Sequence, residues 1–234
     1  KLRSSRDRVD RLGYFKDVQI ETLEIPGNPD QVDILMTVIE KPTGNLSLGA
    51  GYNTSDKLSF QFGIKQENIF GSGNYLGIDV NTSKLNRTAV LTTIDPYFTQ
   101  DGVSRTLDAY YRTTRPTSAV DSDYSLLTIG SSLKFGLPIS PTDTIYLGGG
   151  IERNKIVDGT NLPQVYKDYA DQFGSTSDSV PLTIGWSRDD RDSALTPNSG
   201  KLQRLAAEWS PAGDVKYVKA VAQYQQYIPL NKQF

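Results

Sequence analysis

The sequence predicts a mainly β fold: an antiparallel transmembrane β-barrel preceded by a partial α+β domain. Three observations carry this expectation. From Gly44 onward, segments of about ten residues alternate polar and apolar positions, and ten residues is the length a tilted strand needs to cross a bilayer. The connections between those segments fall into two alternating sets, as hairpins crossing one layer back and forth require. Third, the composition is that of a barrel. Hydrophobic residues make up 37% of the 234-residue chain, yet there are 13 Tyr and 20 Gly. Barrels look hydrophilic on average because only alternate residues face lipid.

The chain begins at Lys1, in mid-element and without Met, and reads as a piece of a longer protein. Residues 3 to 12, "RSSRDRVDRL", read as the end of a helix: Val9 and Leu12 share a face and Gly13 suits the position after the last turn. Two strand-like runs follow, Phe15–Ile25 and Val32–Glu40, joined by "PGNPD", a turn signal. One face of this pair is expected to pack on the helix. Pro42, Thr43 and Gly44 form a short junction. The expected division is therefore 1–42, the end of an α+β domain, and 43–234, the first part of a barrel.

Ten barrel strands are expected near 44–53, 56–66, 74–83, 86–94, 103–114, 123–135, 143–154, 179–188, 200–210 and 215–228. In 57–65, Leu58, Phe60, Phe62 and Ile64 share one face, with Lys57, Gln61 and Lys65 on the other. In 180–187, Leu182, Ile184 and Trp186 oppose Thr183. The apolar set should face lipid and the polar set the lumen. One set of connections is 53–56, 83–86, 115–124 and 155–178. The other is 68–74, 95–102, 137–143 and 189–200, and it lies at the end where the α+β domain enters. The longest loop holds "NLPQVYKDYADQFG", which reads as a short amphipathic helix: Asn161 as cap, Pro163 early, Val165, Tyr166, Tyr169 and Phe173 as the apolar face, and Gly174 at the end.

Several function classes are excluded. A net charge of −2 argues against nucleic acid. With no Cys and no His, thiolate sites, the commonest metal ligand and histidine-based catalysis are all missing. No cofactor and no enzymatic activity are expected. The charged run "SRDDRD", 187–192, is read as a turn or lumenal ion-pair network, since Arg188 and Arg191 neutralise Asp189, Asp190 and Asp192. "GSG" at 71–73 is a tight turn, because no helix follows for a phosphate to sit against. Asp95, Pro96, Tyr97 and Phe98 open the turn "DPYFTQDG". Asp before Pro starts a turn, and the two aromatics suit the headgroup region where a strand leaves the bilayer.

Four stretches in order carry a resemblance. "RLGYFKDVQIETLEIPGNPDQVDILMTVIEKPTGNLSLGAGY" is similar to the end of the fifth POTRA domain running into strand one of the BamA family of outer-membrane barrel-assembly factors. "NIFGSGN", "DPYFTQDGVS" and "GWSRDDRDSALTPNSG" resemble turns of that family, the second a periplasmic one. The resemblance implies a 16-stranded barrel, of which about ten strands are here, behind a periplasmic POTRA arm in the bacterial outer membrane. It further implies a role in folding and inserting other barrels. The implied partners are nascent outer-membrane β-barrel proteins, accessory outer-membrane lipoproteins and the lipid bilayer. A polypeptide secretion or translocation pore of the same superfamily is the alternative.

Within this frame strand one is the candidate site. Asn45, Ser47, Gly49 and Gly51 share one face, and Leu46, Leu48, Ala50 and Tyr52 the other. Glycine weakens a strand because it has no side chain to pack and loses more entropy on ordering. The glycines either let the barrel curve or leave strand one poorly zipped to the last strand, a seam whose free N–H and C=O groups an incoming strand pairs with.

Overall fold

Alternation fixes which side chains share a face, and hairpin register fixes which of them meet. A computed structural model gives both, and describes residues 9, 14–27, 31–54, 57–115, 124–157, 162–192 and 197–229. The helix expected over 3–12 and Asn161 lie outside the described residues, apart from Val9, which is helical.

Strands β1 (Phe15–Glu24) and β2 (Val32–Glu40) form a two-stranded antiparallel sheet. The main sheet follows: β3 (Gly44–Asn53), β4 (Lys57–Gln66), β5 (Tyr75–Thr82), β6 (Asn86–Asp95), β7 (Ser104–Thr114), β8 (Ser125–Pro138), β9 (Asp143–Val157), β10 (Thr176–Ser179), β11 (Leu182–Asp189), β12 (Gly200–Ser210) and β13 (Tyr217–Tyr227). Each pairs with its sequence neighbour in an unbroken meander, except that β10 and β11 both pair with β9.

Two expectations are corrected. The strand expected at 179–188 extends back to Thr176, so β10 and β11 continue one line along β9: Ser179 faces Glu152 and Leu182 faces Gly149 without a slip in register. Pro181 interrupts the line because it has no N–H to give. Its carbonyl still accepts from the Gly150 amide at 2.9 Å, while the Val180 amide turns to Ala212 O and Ser210 Oγ, both at 3.2 Å. Strand β9 likewise runs on to Val157, so the loop expected at 155–178 shrinks to the residues between β9 and β10. Its helix, α1 (Gln164–Phe173), has Pro163 at the cap position and no side-chain cap bond. The helix packs on the polar face of the sheet. Tyr166 lies 5.2 Å from the buried Tyr124, and the Tyr169 hydroxyl meets Ser177 Oγ at 2.8 Å. Val165, expected on the apolar side of the helix, stays exposed.

Register carries the two faces across the sheet. One row reads Leu46, Ile64, Ile78, Leu91, Ala109, and the next Leu48, Phe62, Val80, Ala89, Tyr111, Ile129. Most of their larger apolar side chains are exposed, the sign of a face built for lipid. The opposite face is polar and is held by hydrogen bonds. The Tyr110 ring lies so close over Gly130 that a Cβ there would sit 2.5 Å from it. Its hydroxyl donates to Glu152 at 2.6 Å; Asn154 Nδ2 donates to the other Glu152 oxygen at 2.8 Å and takes a bond from Thr128 at 2.7 Å. This network ties β7, β8 and β9 together. Two residues of β4 separate the faces in a test. Arg in place of Phe62 should cost about 2–4 kcal/mol of folding free energy in bilayers, the depth-dependent penalty of a lipid-facing charge. Arg in place of its neighbour Gln61 should cost under about 1 kcal/mol, measured by denaturant titration in liposomes.

Candidate functional site: an open strand edge and its turns

Among the described residues strand β3 pairs with β4 alone. The Glu67 amide donates to Thr43 O at 3.0 Å, which places Thr43 and Glu67 in a directly bonded pair. Bonded and non-bonded pairs alternate along an antiparallel ladder. Asn45, Ser47, Gly49 and Gly51 therefore exchange backbone bonds with β4. Leu46, Leu48, Ala50 and Tyr52 turn their N–H and C=O groups to the free side. The same four residues send their side chains to the apolar face, opposite Ile64, Phe62, Phe60 and Leu58. All ten residues of β3 are exposed, Leu48 at 75%. Sequence alternation gives the side-chain faces; the backbone polarity of the edge appears only once the register at Thr43 is known.

The side chains that hold β3 to β4 are small. Ser59 Oγ donates to Gly51 O at 3.2 Å and Ser47 Oγ to Gly63 O at 3.4 Å. A Cβ at Gly63 would come within 2.5 Å of Ser47 Oγ. A side chain at 63 would therefore displace the Ser47 hydroxyl from its bond, whereas Gly49 has ordinary room beside Gln61.

The turns at the Gly44 end form the second feature. In 68–74, Asn68, Phe70, Gly71 and Gly73 all take left-handed backbone angles. Asn68 Oδ1 fastens the turn by accepting from the Gly73 amide at 2.7 Å. Tyr14, just before β1, donates its hydroxyl to Gly73 O at 3.0 Å. The two-stranded sheet is therefore bonded to this turn, as the sidedness of the connections predicts. Burial beside this turn, reinforced by Glu67, pushes the Tyr14 phenol up from its usual range.

In the next turn on that side, Asp95 Oδ1 accepts from the Tyr97 amide at 3.2 Å. Tyr97 is exposed, as an interfacial anchor should be. Phe98 does more than anchor. Its ring lies 5.8 Å from Phe135, the Arg105 guanidinium sits 4.4 Å above it, and Arg105 also reaches Asp95 at 3.6 Å. Phe98 thus clamps the ends of β6, β7 and β8. The sequence held one missed signal, since Arg105 stands directly opposite Asp95 once the hairpin closes.

Of the run 187–192, residues 187–189 end β11 and 190–192 begin the turn that follows it. Arg191 makes two bonds to Asp189, at 2.8 and 2.7 Å. Asp190 accepts from the Lys201 amide, and Asp192 from Asn198 at 2.9 Å. Among the described residues no three His, Cys, Asp or Glu side chains converge as a metal site. No helix among them is long and apolar enough to cross a membrane.

An antiparallel meander of this length with one apolar and one polar face is the sheet of a membrane barrel. Residues 68–234 match the Omp85 superfamily domain, and the chain belongs to that superfamily. Over its whole length it is 33% identical to the outer membrane protein assembly factor BamA of Neisseria meningitidis serogroup B, of which it spans 31%. The crystal structure of BamA from Haemophilus ducreyi lacking POTRA domains 1–3 matches 99% of the chain with a TM-score of 0.77 at 26% identity, the chain covering 46% of it. CdiB from Acinetobacter baumannii matches 92% of the chain with a TM-score of 0.54 at 14% identity, the chain covering 41% of it, a likeness of fold alone. The chain spans about a third of the length of the curated relative it matches.

The Phe98 clamp separates two adjacent aromatics. Replacing Phe98 by Ala should cost about 1–2 kcal/mol, the sum of a ring pair and a cation–π contact. Replacing Tyr97 by Ala should cost under about 0.5 kcal/mol. Denaturant midpoints of the full-length protein in one detergent provide the comparison.

Proposed function

We propose that this chain is the working edge of an outer-membrane protein assembly factor, in which β3 templates the strands of incoming barrel proteins. The division at 42/43, with a POTRA portion in the periplasm and a barrel in the outer membrane, belongs to the same proposal. So do the partners: nascent β-barrel proteins, accessory outer-membrane lipoproteins and the surrounding bilayer. The observation that carries it is the polarity of β3. Leu46, Leu48, Ala50 and Tyr52 direct donors and acceptors away from β4. In hydrocarbon each unpaired backbone group costs several kcal/mol, because no water is there to satisfy it. A strand that pairs with this edge removes that cost for both partners. Recognition then runs through the backbone and accepts many sequences, and the chemistry needs no nucleophile, metal or nucleotide. The likeness to an assembly factor named BamA supports the same reading.

Proline tests the edge without dismantling the barrel. Leu48 gives no N–H to β4, so Leu48→Pro should leave the barrel folded, as judged by its heat-modifiable gel shift, and lower the rate of substrate insertion into liposomes at least tenfold. Gly49→Pro removes a bond of the β3–β4 ladder and should destabilise the barrel itself. A Leu48→Pro protein that inserts substrate at the normal rate would leave the edge without a templating role. In the full-length protein, Cys residues placed along 45–52 should crosslink to the C-terminal strand of a nascent barrel with a two-residue repeat.

Sidedness has its own readout. On intact cells, a membrane-impermeant thiol reagent should label Cys in place of Asp168, on α1, and spare Cys in place of Gln100. The reverse pattern inverts the topology.

A further inference from the structure

The apolar face is not apolar to its ends. At the rim nearest the 68–74 and 95–102 turns, it carries the cations Arg105, Arg188 and Lys201. Each stands opposite a carboxylate: Arg105 pairs in register with Asp95, 3.6 Å away, Arg188 with Asp143, and Lys201 with Asp190, whose amide donates to the Lys201 carbonyl at 3.0 Å. At the other rim it carries Arg87, Arg153 and Lys155, which register places in line with Phe60, Ile129 and Leu127. Arg153 is held by Asp178 through two bonds of 2.7 Å. Arg87 faces Thr82 and Thr113, and Lys155 faces Leu127 and Thr176. Among the described residues neither has a carboxylate within ion-pair distance, and both are exposed.

A cation on a lipid-facing strand is costly unless its head reaches an anion at the membrane surface. At the first rim each cation has a carboxylate across the ladder, in ion-pair contact for Arg105; at the other, Arg87 and Lys155 have none across theirs. These two residues lie in one cross-strand row, three strand spacings apart, or about 14 Å. Two cations at that separation, on a face otherwise built for acyl chains, fit a ligand with phosphate at its head and hydrocarbon below.

We propose that Arg87 and Lys155 form a binding site for the phosphate-bearing headgroups of lipids in the outward leaflet. The occupant is a membrane lipid held by charge at the head and by the apolar band along its chains. The inference rests on the reading of this sheet as a membrane barrel with the 83–86 connection outward. The site would fix the tilt and depth of β6 to β9 against the bilayer, and would make that wall of the barrel sensitive to the charge of the lipids around it.

The test uses the full-length protein in detergent, titrated with a diphosphorylated glycolipid, its enzymatically dephosphorylated form, or inorganic phosphate, with binding read by native mass spectrometry. The diphosphorylated lipid should bind at least fivefold more tightly than the dephosphorylated form. The double variant Arg87→Gln/Lys155→Gln should lose that preference, and the charge-conserving Arg87→Lys/Lys155→Arg should retain it, which guards against a mere folding defect. Equal binding of the two lipids, or a preference that survives in the double Gln variant, overturns the proposal. Inorganic phosphate that abolishes lipid binding at millimolar concentration identifies the occupant as free phosphate and overturns it equally. Substrate insertion by the same wild-type preparation reads the assembly function separately: lipid preference without insertion sinks the assembly reading and leaves this site standing.

Discussion

The rest of the molecule depends on one constraint: in hydrocarbon, a backbone N–H or C=O group has only another backbone group to satisfy it. That constraint makes the main sheet a continuous meander from β3 to β13, each strand bonded to its neighbour. It also explains why the single interruption, at Val180–Pro181, is compensated at once. Ser210, fully buried, accepts from the Val180 amide and turns its one O–H toward Ala212 O and Val215 O, which lie at 3.2 and 3.1 Å. The same constraint bears on the two outermost strands of the described sheet, β3 and β13, each bonded to a neighbour on one side here.

The two faces solve different problems. The apolar face needs little more than bulk, and its side chains need not interlock. The polar face needs order without a conventional core, and obtains it by laying aromatic rings across glycines and tying their hydroxyls to carboxylates, as Tyr110 does over Gly130 to Glu152. A ring on glycine fills the hollow that a missing side chain leaves and stiffens the strand there. Glycine in this chain therefore has two opposite effects. At Gly130 it admits a brace, while at Gly49, beside Gln61, there is room and no brace, so β3 is held chiefly by its backbone.

Much of this was legible in the sequence, because alternation is a strict code in a single-layer sheet. Leu58, Phe60, Phe62 and Ile64 could be assigned to one face without coordinates, and hairpin parity placed Tyr97 and Phe98 at the end where the first domain enters. The unreadable parts depended on register between strands. The Phe98–Arg105–Asp95 clamp needs β6 and β7 aligned. The polarity of the β3 edge needs one bond, from Glu67 to Thr43. The short strand β10 was missed because Thr176 to Asp178 are small or polar and read as the end of the loop, while the expected strand at 179–188 already ran through Pro181. For α1, the apolar pattern located the helix but not the wall it packs against, since Tyr124 lies far from it in sequence and Ser177 is brought under Tyr169 by the pairing of β10 with β9.

The uninterrupted alignment of β10 and β11 makes residues 176–189 behave as a single reading frame in space. Parity carries information along it: even positions belong to one face and odd positions to the other, on both sides of the proline. One residue gained or lost at Val180–Pro181 would leave β11 untouched and invert every side chain of β10. Asp178 would swing away from Arg153, and Ser177 would leave Tyr169. A two-residue change would keep the parity and merely slide the strand. Natural length variation at this point should therefore come in pairs, a rule set by geometry and independent of which amino acids occupy the positions.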